Sequence, residues 1–173
     1  IYLDILKKQP NCCFWFIHGL RNSISSIFKE RISKLFQNYD LSFNEYSIFH
    51  PRCAKDEYLG LIEQSDIILD SLNWSGGNTS LEAISLNKPI VTCPSEYMKG
   101  RVTYSFLRKL NIEETIASSK KEYVEIAVKL AKDNNFRNSI TKKIVNNKNN
   151  LFNDNKPIRF LEEVIRKKLL ELK

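Results

Sequence analysis

The sequence is short of glycine, histidine and long apolar runs, and the last two shortages exclude classes of protein. Its 173 residues include five glycines, four cysteines and two histidines. The cysteines lack the paired spacing of a zinc site, so we expect no bound metal. No apolar run approaches the roughly 18 residues of a membrane span, and the N-terminus lacks a signal-peptide pattern. Adjacent Cys12 and Cys13 lie in an apolar run, which favours buried thiols over disulfides. We therefore predict an intracellular, cytoplasmic protein without a membrane partner.

The charge of the chain is positive, with a formal net charge of +7 and a pI near 9.2. Lysines and arginines are spread through helical segments, and no basic stripe is interleaved with aromatic residues. This distribution is typical of a solvated surface, so we expect no nucleic-acid partner. With 42% hydrophobic and 27% charged residues, the composition predicts a globular domain.

Short apolar segments, rich in aromatic and β-branched residues, alternate with amphipathic segments of helical spacing. The short segments are typical of strands that are buried on both faces, and the alternation predicts an α/β fold. Its sheet would be a Rossmann-like, doubly wound parallel sheet with right-handed crossovers. The predicted strands lie at residues 12–18, 46–50, 66–70, 89–93 and, more weakly, 114–117.

The ends of the chain follow a different pattern. Residues 1–9 predict a helix that enters the first strand without a strand before it, which suggests an N-terminally truncated domain. After residue 118 the pattern is helical, with helices predicted at 119–133, at 136–148 and at 156–173, the last with Pro157 near its start. We predict a lobe over residues 1–150 and a C-terminal helical extension over 151–173.

The segment "NWSGGNTSLEAISLNKP" (73–89) carries the strongest chemical signal. Gly76 and Gly77 permit close approach of a ligand or a positive φ, and they precede residues that favour helix N-caps. The N–H groups and dipole of such a helix suit a diphosphate, and Glu82 could accept hydrogen bonds from ribose hydroxyls. The three residues after the glycines are Asn78, Thr79 and Ser80, whose hydroxyls at 79 and 80 offer further donors.

A simpler interpretation of the same segment is a capped helix whose first-turn Glu82 favours the helix dipole. The segment contains neither a Walker A loop nor a GxGxxG fingerprint, so the residues alone leave both interpretations open.

Residues 48–117 resemble the carboxyl-terminal catalytic region of the O-GlcNAc transferase and SPINDLY-like glycosyltransferases. "WSGGNTSLEA", "KPIVTCPSE" and "GRV" carry the resemblance, in order and in register, and weaker similarity extends from about residue 3 to 132. The resemblance is particularly to bacterial relatives that carry tetratricopeptide repeats. The resemblance implies the C-terminal, nucleotide-sugar-binding lobe of a metal-independent, inverting GT-B enzyme. It also implies a UDP-sugar donor without further cofactor, and transfer of a GlcNAc-like sugar to protein side chains.

The resemblance also assigns roles to residues before the glycine-rich loop. Lys55 stands where the family has a lysine that neutralises donor phosphate, and this is our candidate catalytic residue. Tyr58 replaces a histidine that packs on uracil, and the backbone near Cys53 would contact the base edge. The residues alone also allow a solvent-exposed Lys55 and a core Tyr58.

Within the loop, Asn78 and Thr79 fall at the family's phosphate-binding threonines, and Glu82 replaces its ribose-binding aspartate. Tyr58 in place of histidine keeps a flat ring, and Glu82 in place of aspartate keeps a carboxylate. Both differences from the family weaken the assignment of the base. Arg101 could reach phosphate or sugar, or serve the structure of a helix start. His18 and His50 are the last residues of two predicted strands and would therefore lie near the ligand-binding cleft. Both fit structural roles as well as catalytic ones.

The family's lysine on the strand before residue 1 has no counterpart here, so we expect this chain to bind a donor without turnover. Two alternatives remain. The first is a GT-B enzyme that acts on a small molecule or glycan, or an epimerase of a sugar nucleotide. The second is a non-catalytic nucleotide-binding domain. Helical repeats with a period of about 34 residues upstream would favour peptide acceptors.

Overall fold

The computed structural model describes residues 1–171, without the side chain of Asn22, and shows an α/β domain with parallel strands. Each strand falls within a predicted segment, because short runs of β-branched and aromatic residues favour the pleated conformation. The fifth segment forms a single parallel bridge from Thr92 to Ile116. The strands are β1 (Phe14–Ile17), β2 (Ser47–His50), β3 (Ile68–Leu69) and β4 (Ile90–Val91).

Helices fill most of the remaining chain, together with two 3-10 turns at Phe43–Tyr46 and Met98–Gly100. The α-helices are α1 (Tyr2–Lys8), α2 (Asn22–Gln37), α3 (Lys55–Gln64), α4 (Asn78–Ser85), α5 (Val102–Lys109), α6 (Lys120–Lys132), α7 (Asn134–Asn147), α8 (Asn149–Phe152) and α9 (Lys156–Glu171).

Pairing of the strands differs from the single sheet that the sequence predicts. Strand β1 pairs in parallel with β2, strand β3 pairs in parallel with β4, and within residues 1–171 no ladder joins the two pairs. Helices connect the pairs instead. Tyr2 of α1 makes edge contacts with Phe14 and Phe16 of β1, while α1 packs on α6 and α6 packs on β4.

The prediction that all strands are buried on both faces is correct for β4 and wrong for the first pair. Ile90 and Val91 are fully buried, whereas Trp15, Ile17 and Ile48 are 38–45% exposed. The partners Trp15 and Ile48 lie side by side in the register, so one face of this pair is apolar and open. Residues alternate between faces in a strand, and the sequence does not reveal which face is covered.

Asparagine and aspartate take backbone positions where glycine is usual, which agrees with the low glycine content. Asn87 and Asn111 have φ of 61° and 55° and follow α4 and α5. Lys88 N donates to the carbonyl of Ala83 at 2.9 Å, which closes a Schellman motif after α4. Asn tolerates the left-handed region better than other side chains, so these helices end without glycine.

The helical C-terminal part agrees with the prediction, and one further short helix, α8, lies between the predicted helix at 136–148 and the terminal helix. Helix α9 has no buried residue, and Lys109 of α5 pairs with Asp154 just before it. The predicted terminal helix extends to Lys173, and its last two residues lie outside the described residues. The boundary at residue 150 stays a prediction. Across residues 1–171, no helix has the length and apolarity needed to cross a bilayer.

Candidate functional site

The carboxyl ends of β2 and β3 lead into α3 and α4, and these two helices pack against each other. Parallel strands place such loops along one edge of the fold, where α/β domains bind ligands. The starts of α3 and α4, together with the loops that lead into them, carry most of the residues that the sequence predicts for the site. They therefore form the frame of the candidate site.

Helix α4 begins at Asn78, and its N-cap is Gly77 with no side-chain cap. Asn78, Thr79 and Ser80 thus lie within the first turn, although the sequence favoured them as caps. The backbone N–H groups of Gly77, Asn78 and Thr79 find no acceptor within residues 1–171. All three residues are exposed. Free N–H groups at a helix N-terminus form a site for anions.

The two glycines of the loop serve different purposes, and neither has the positive φ that the sequence allowed. A Cβ at Gly76 would collide with the hydroxyl of Ser80 and lie 2.7 Å from Thr79 Oγ1. A Cβ at Gly77 would meet no atom within 4 Å from the described residues beyond its neighbours in the chain. Internal packing therefore accounts for Gly76 but leaves Gly77 next to open space.

Asp70 holds the loop before α4 through a buried hydrogen-bond network. Its Oδ2 accepts from Ser75 Oγ and from Thr92 Oγ1, both at 2.7 Å, and its Oδ1 accepts from Gly76 N at 2.8 Å. Burial raises the pKa of Tyr123, whose hydroxyl donates to the Asp70 carbonyl at 2.9 Å. Three donors on one carboxylate fix the turn that leads to the free N–H groups.

The network continues to α5 through Thr103. Its backbone N donates to Ser75 Oγ at 2.9 Å, and its Oγ1 lies 2.7 Å from Ser80 Oγ. The Ser80 side chain is buried, and its hydroxyl joins α4 to α5. We expected this hydroxyl to be a donor to a ligand at the loop surface, and that expectation is wrong. Sequence reasoning missed Asp70, Ser75 and Thr103. An aspartate that closes a buried strand just before a glycine-rich loop is the signal that could have found the first.

Tyr58 and Glu82 lie close together where α3 and α4 meet. Burial raises the pKa of Tyr58, and the nearby Glu82 carboxylate and Cys53 raise it further. The Tyr58 ring is half-buried, and the Glu82 carboxylate has no hydrogen-bond or ion-pair partner within residues 1–171. A flat ring beside an unpaired carboxylate suits a nucleoside, which offers a base to stack and hydroxyls to donate.

Two exposed cations lie at helix starts near this edge. Lys55 is the first residue of α3 and makes no ion pair within the described chain. Arg101 is the N-cap of α5, and its guanidinium lies 5.3 Å from the centroid of the Tyr104 ring. Lys55 is therefore free to meet an anion, while the guanidinium of Arg101 has an aromatic neighbour.

The two histidines lie at the ends of β1 and β2. His18 N donates to the His50 carbonyl at 2.9 Å, and the His50 ring lies 5.0 Å from the Trp15 ring. One buried ring nitrogen of each, His18 Nδ1 and His50 Nε2, finds no hydrogen-bond partner among the described residues. Within the described residues, no group of three or more His, Cys, Asp or Glu side chains could hold a metal ion.

The fold is an α/β domain with parallel strands, and the N-terminus of α4 has the free N–H groups of a site for anions. The sequence model of Glycosyl transferase family 41 matches residues 1–159. The chain belongs to Glycosyl transferase family 41, and the resemblance to the O-GlcNAc transferase and SPINDLY-like enzymes is confirmed.

Curated relatives match parts of the chain as well. The UDP-N-acetylglucosamine–peptide N-acetylglucosaminyltransferase of Caenorhabditis elegans is 26% identical over 133 residues, 77% of this chain and 11% of the relative. The enzyme of that name from Giardia intestinalis is 35% identical over 88 residues, 51% of this chain and 6% of the relative. A probable SPINDLY enzyme from Oryza sativa is 34% identical over 129 residues, 75% and 13% respectively. The chain thus spans only about a tenth of these relatives' length.

A solved structure shows the same fold. The structure of a mutant O-GlcNAc transferase from Thermobaculum terrenum superposes with a TM-score of 0.81 at 23% identity. The match covers 96% of this chain and 32% of that one. At this identity the likeness establishes the fold only.

Proposed function

We propose that this chain is the donor-binding lobe of a GT-B glycosyltransferase that transfers a GlcNAc-like sugar from a UDP-sugar to protein side chains. The observation that carries the proposal is the N-terminus of α4, where Gly77, Asn78 and Thr79 present free N–H groups beside open space. Membership of Glycosyl transferase family 41 and the activities that the names of the relatives describe support the donor and the acceptor.

In this proposal the diphosphate lies at the start of α4, and the nucleoside lies toward α3. Tyr58 stacks on the base, Glu82 accepts from ribose hydroxyls, and backbone near Cys53 contacts the base edge. Lys55, the exposed first residue of α3, neutralises the diphosphate. The choice of uracil rests on the relatives' names, because a tyrosine face stacks on any base.

Transfer follows from the charge that develops on the leaving group. The acceptor oxygen or nitrogen forms a bond to the anomeric carbon, and the bond from that carbon to the diphosphate oxygen breaks. The electron pair stays on the diphosphate, where the α4 N–H groups and Lys55 supply positive potential. These groups would do so without a metal ion. Lys55 thus stabilises the leaving group, while acceptor and base come from other parts of the complete enzyme.

A titration of UDP and of uridine into the Lys55→Ala variant tests this arrangement. Loss of a charge-assisted contact to phosphate should weaken UDP binding by roughly 1.5–3 kcal/mol. Uridine lacks the diphosphate, so its affinity should change far less. Lys142→Ala is the matched control, because Lys142 is an exposed lysine of α7, a helix that contributes no residue to the proposed site. Equal loss for UDP and uridine would show that Lys55 only supports the fold.

A further inference from the structure

The side chain of Thr103 in α5 contacts the glycine-rich loop, and the proposed function gives it no role. Thr103 is fully buried, and its Oγ1 lies 3.2 Å from the carbonyl oxygen of Gly76 and 2.7 Å from Ser80 Oγ. The glycine leaves room for these contacts, because a Cβ at Gly76 would collide with the Ser80 hydroxyl. Hydroxyls of α4 and α5 therefore meet against the backbone of the loop that enters α4.

The proton of each hydroxyl can be assigned from the acceptors within its reach. Ser75 Oγ lies 2.7 Å from Asp70 Oδ2 and 2.8 Å from Thr103 Oγ1, and it donates to the carboxylate because that is the stronger acceptor. Ser80 Oγ finds one partner in the described chain, which is Thr103 Oγ1, so it donates there. The Thr103 proton is then left for the Gly76 carbonyl.

This hydrogen bond fixes the direction of the peptide group between Gly76 and Gly77. The peptide is trans and planar, so its C=O and N–H point in opposite directions. Because the carbonyl points at the buried Thr103, the Gly77 N–H points away from the core. On that side Gly77 borders a cleft of about 400 Å³. The Gly77 N–H is one of the three free donors in the proposed diphosphate site.

A peptide between two glycines needs such a contact to keep one orientation. Neither residue has a Cβ to hinder rotation of the peptide plane. The preceding peptide is fixed by Asp70 Oδ1, which accepts from Gly76 N at 2.8 Å. For the Gly76 carbonyl, Thr103 is the one partner found among the described residues. A flipped plane would turn this carbonyl toward the cleft, where its partial negative charge would repel phosphate oxygens.

We propose that Thr103 is a positioning residue for the diphosphate, and that its hydroxyl keeps the Gly77 N–H directed toward the cleft. The proposal rests on the proposed function, because the ligand concerned is the diphosphate of the donor. Thr103 acts through the backbone of Gly76 and Gly77, since its own side chain is buried. Affinity for the diphosphate should therefore depend on a hydroxyl that the ligand does not contact.

Selective isotope labelling observes this one peptide. The chain has five glycines, and Gly76 and Gly77 form the single pair of adjacent glycines in the sequence. Labelling with ¹³C at glycine carbonyls and ¹⁵N at glycine nitrogens therefore gives one signal in a spectrum that correlates each amide with the preceding carbonyl. In Thr103→Val the carbonyl signal should move upfield, because hydrogen bonding moves a carbonyl carbon downfield. Thr103→Ser keeps the hydroxyl and should return the signal toward the parent position.

Calorimetric titrations of UDP and uridine into the full chain test the consequence for the ligand. Thr103→Val removes the hydroxyl from a side chain of similar volume, and the UDP Kd should rise about fivefold, the size of one weakened hydrogen bond. Uridine lacks the diphosphate, so its Kd should change less than about twofold. Thr103→Ser should keep the parent ratio of the two Kd values, although loss of the buried methyl group destabilises the fold.

Thr115→Val is the matched control for the loss of a buried threonine hydroxyl. Thr115 is also fully buried, and its Oγ1 finds no hydrogen-bond partner among the described residues. It lies just before the bridge at Ile116, outside the glycine-rich loop and the helices that frame it. The substitution should leave the labelled signal and both Kd values at their parent values.

Several results would overturn this role of Thr103. A labelled signal that is unchanged in Thr103→Val would show that the peptide does not depend on the hydroxyl. A changed signal with an unchanged ratio of the UDP Kd to the uridine Kd would refute the role while leaving the proposed function intact. Equal weakening of UDP and uridine would assign Thr103 to the fold alone. A parent chain that binds neither ligand would overturn the proposed function, and this role with it.

Discussion

Substitution of Asp70 should destabilise the domain in a graded way that depends on the acceptor left behind. In Asp70→Ala, Thr92 Oγ1 loses its acceptor, and Thr92 is fully buried. A buried hydroxyl without a partner costs about 1–3 kcal/mol, and the half-buried Gly76 N–H adds about 1 kcal/mol. Ser75 can redirect its proton to Thr103 Oγ1, which lies 2.8 Å away. We expect a loss of roughly 2–4 kcal/mol in the free energy of unfolding.

Asp70→Asn should cost less, about 1–2 kcal/mol, because its amide oxygen can still accept from Gly76 N. The amide nitrogen then faces hydroxyls of Ser75 and Thr92, which can rotate to accept. Urea unfolding followed by circular dichroism measures both variants. Asp66→Ala is the matched control, because this carboxylate is exposed and its ion pair with Arg137 is long, at 3.9 Å. We expect a change below about 0.5 kcal/mol there. An Asp70→Ala variant as stable as that control would refute the network.

Two further predictions concern helix packing and capping. Burial raises the pKa of Tyr123 above its ordinary value of 10.0, so the folded state keeps a proton that the unfolded state releases. The free energy of unfolding should therefore fall as pH rises above about 10, and more steeply in the parent than in Tyr123→Phe; equal slopes in alkaline urea titrations would contradict this. Ser119 caps α6 by accepting from Glu122 N at 3.2 Å, so Ser119→Ala should cost about 1 kcal/mol. In the same urea assay Ser139→Ala, at an exposed site within α7, should cost under about 0.5 kcal/mol, and equal losses would argue against the cap.

The sequence predicts most of the strands and helices, because apolar runs and apolar periodicity depend only on residues close together in the chain. Each strand lies in a predicted apolar run, and the helices from residue 119 onward follow their apolar periodicity. Pairing of the strands is not local. The run around Trp15 resembles a strand buried on both faces, but burial depends on which segments cover it, and one of its faces is open.

The site divides in the same way. "SGGNTS" predicts a glycine-rich entry to a helix, and the structure places free N–H groups there. The role of Asp70 depends on donors from Ser75, Gly76 and Thr92. Thr92 lies 22 residues after Asp70 in the chain. Such a network requires the fold. The inward turn of Ser80 has the same origin, since its partner Thr103 comes from α5.

The central claim is that the N-terminus of α4 binds the diphosphate of a nucleotide sugar. The most direct test is calorimetric titration of UDP into the parent chain and into Gly77→Val, with thermal unfolding recorded for both. Because a Cβ at Gly77 would meet no atom within 4 Å from the described residues beyond its chain neighbours, the variant should unfold as cooperatively as the parent. Its added bulk would occupy the space next to the free N–H groups, so UDP affinity should fall at least about tenfold, or 1.4 kcal/mol. A folded Gly77→Val variant that binds UDP as tightly as the parent would contradict the account.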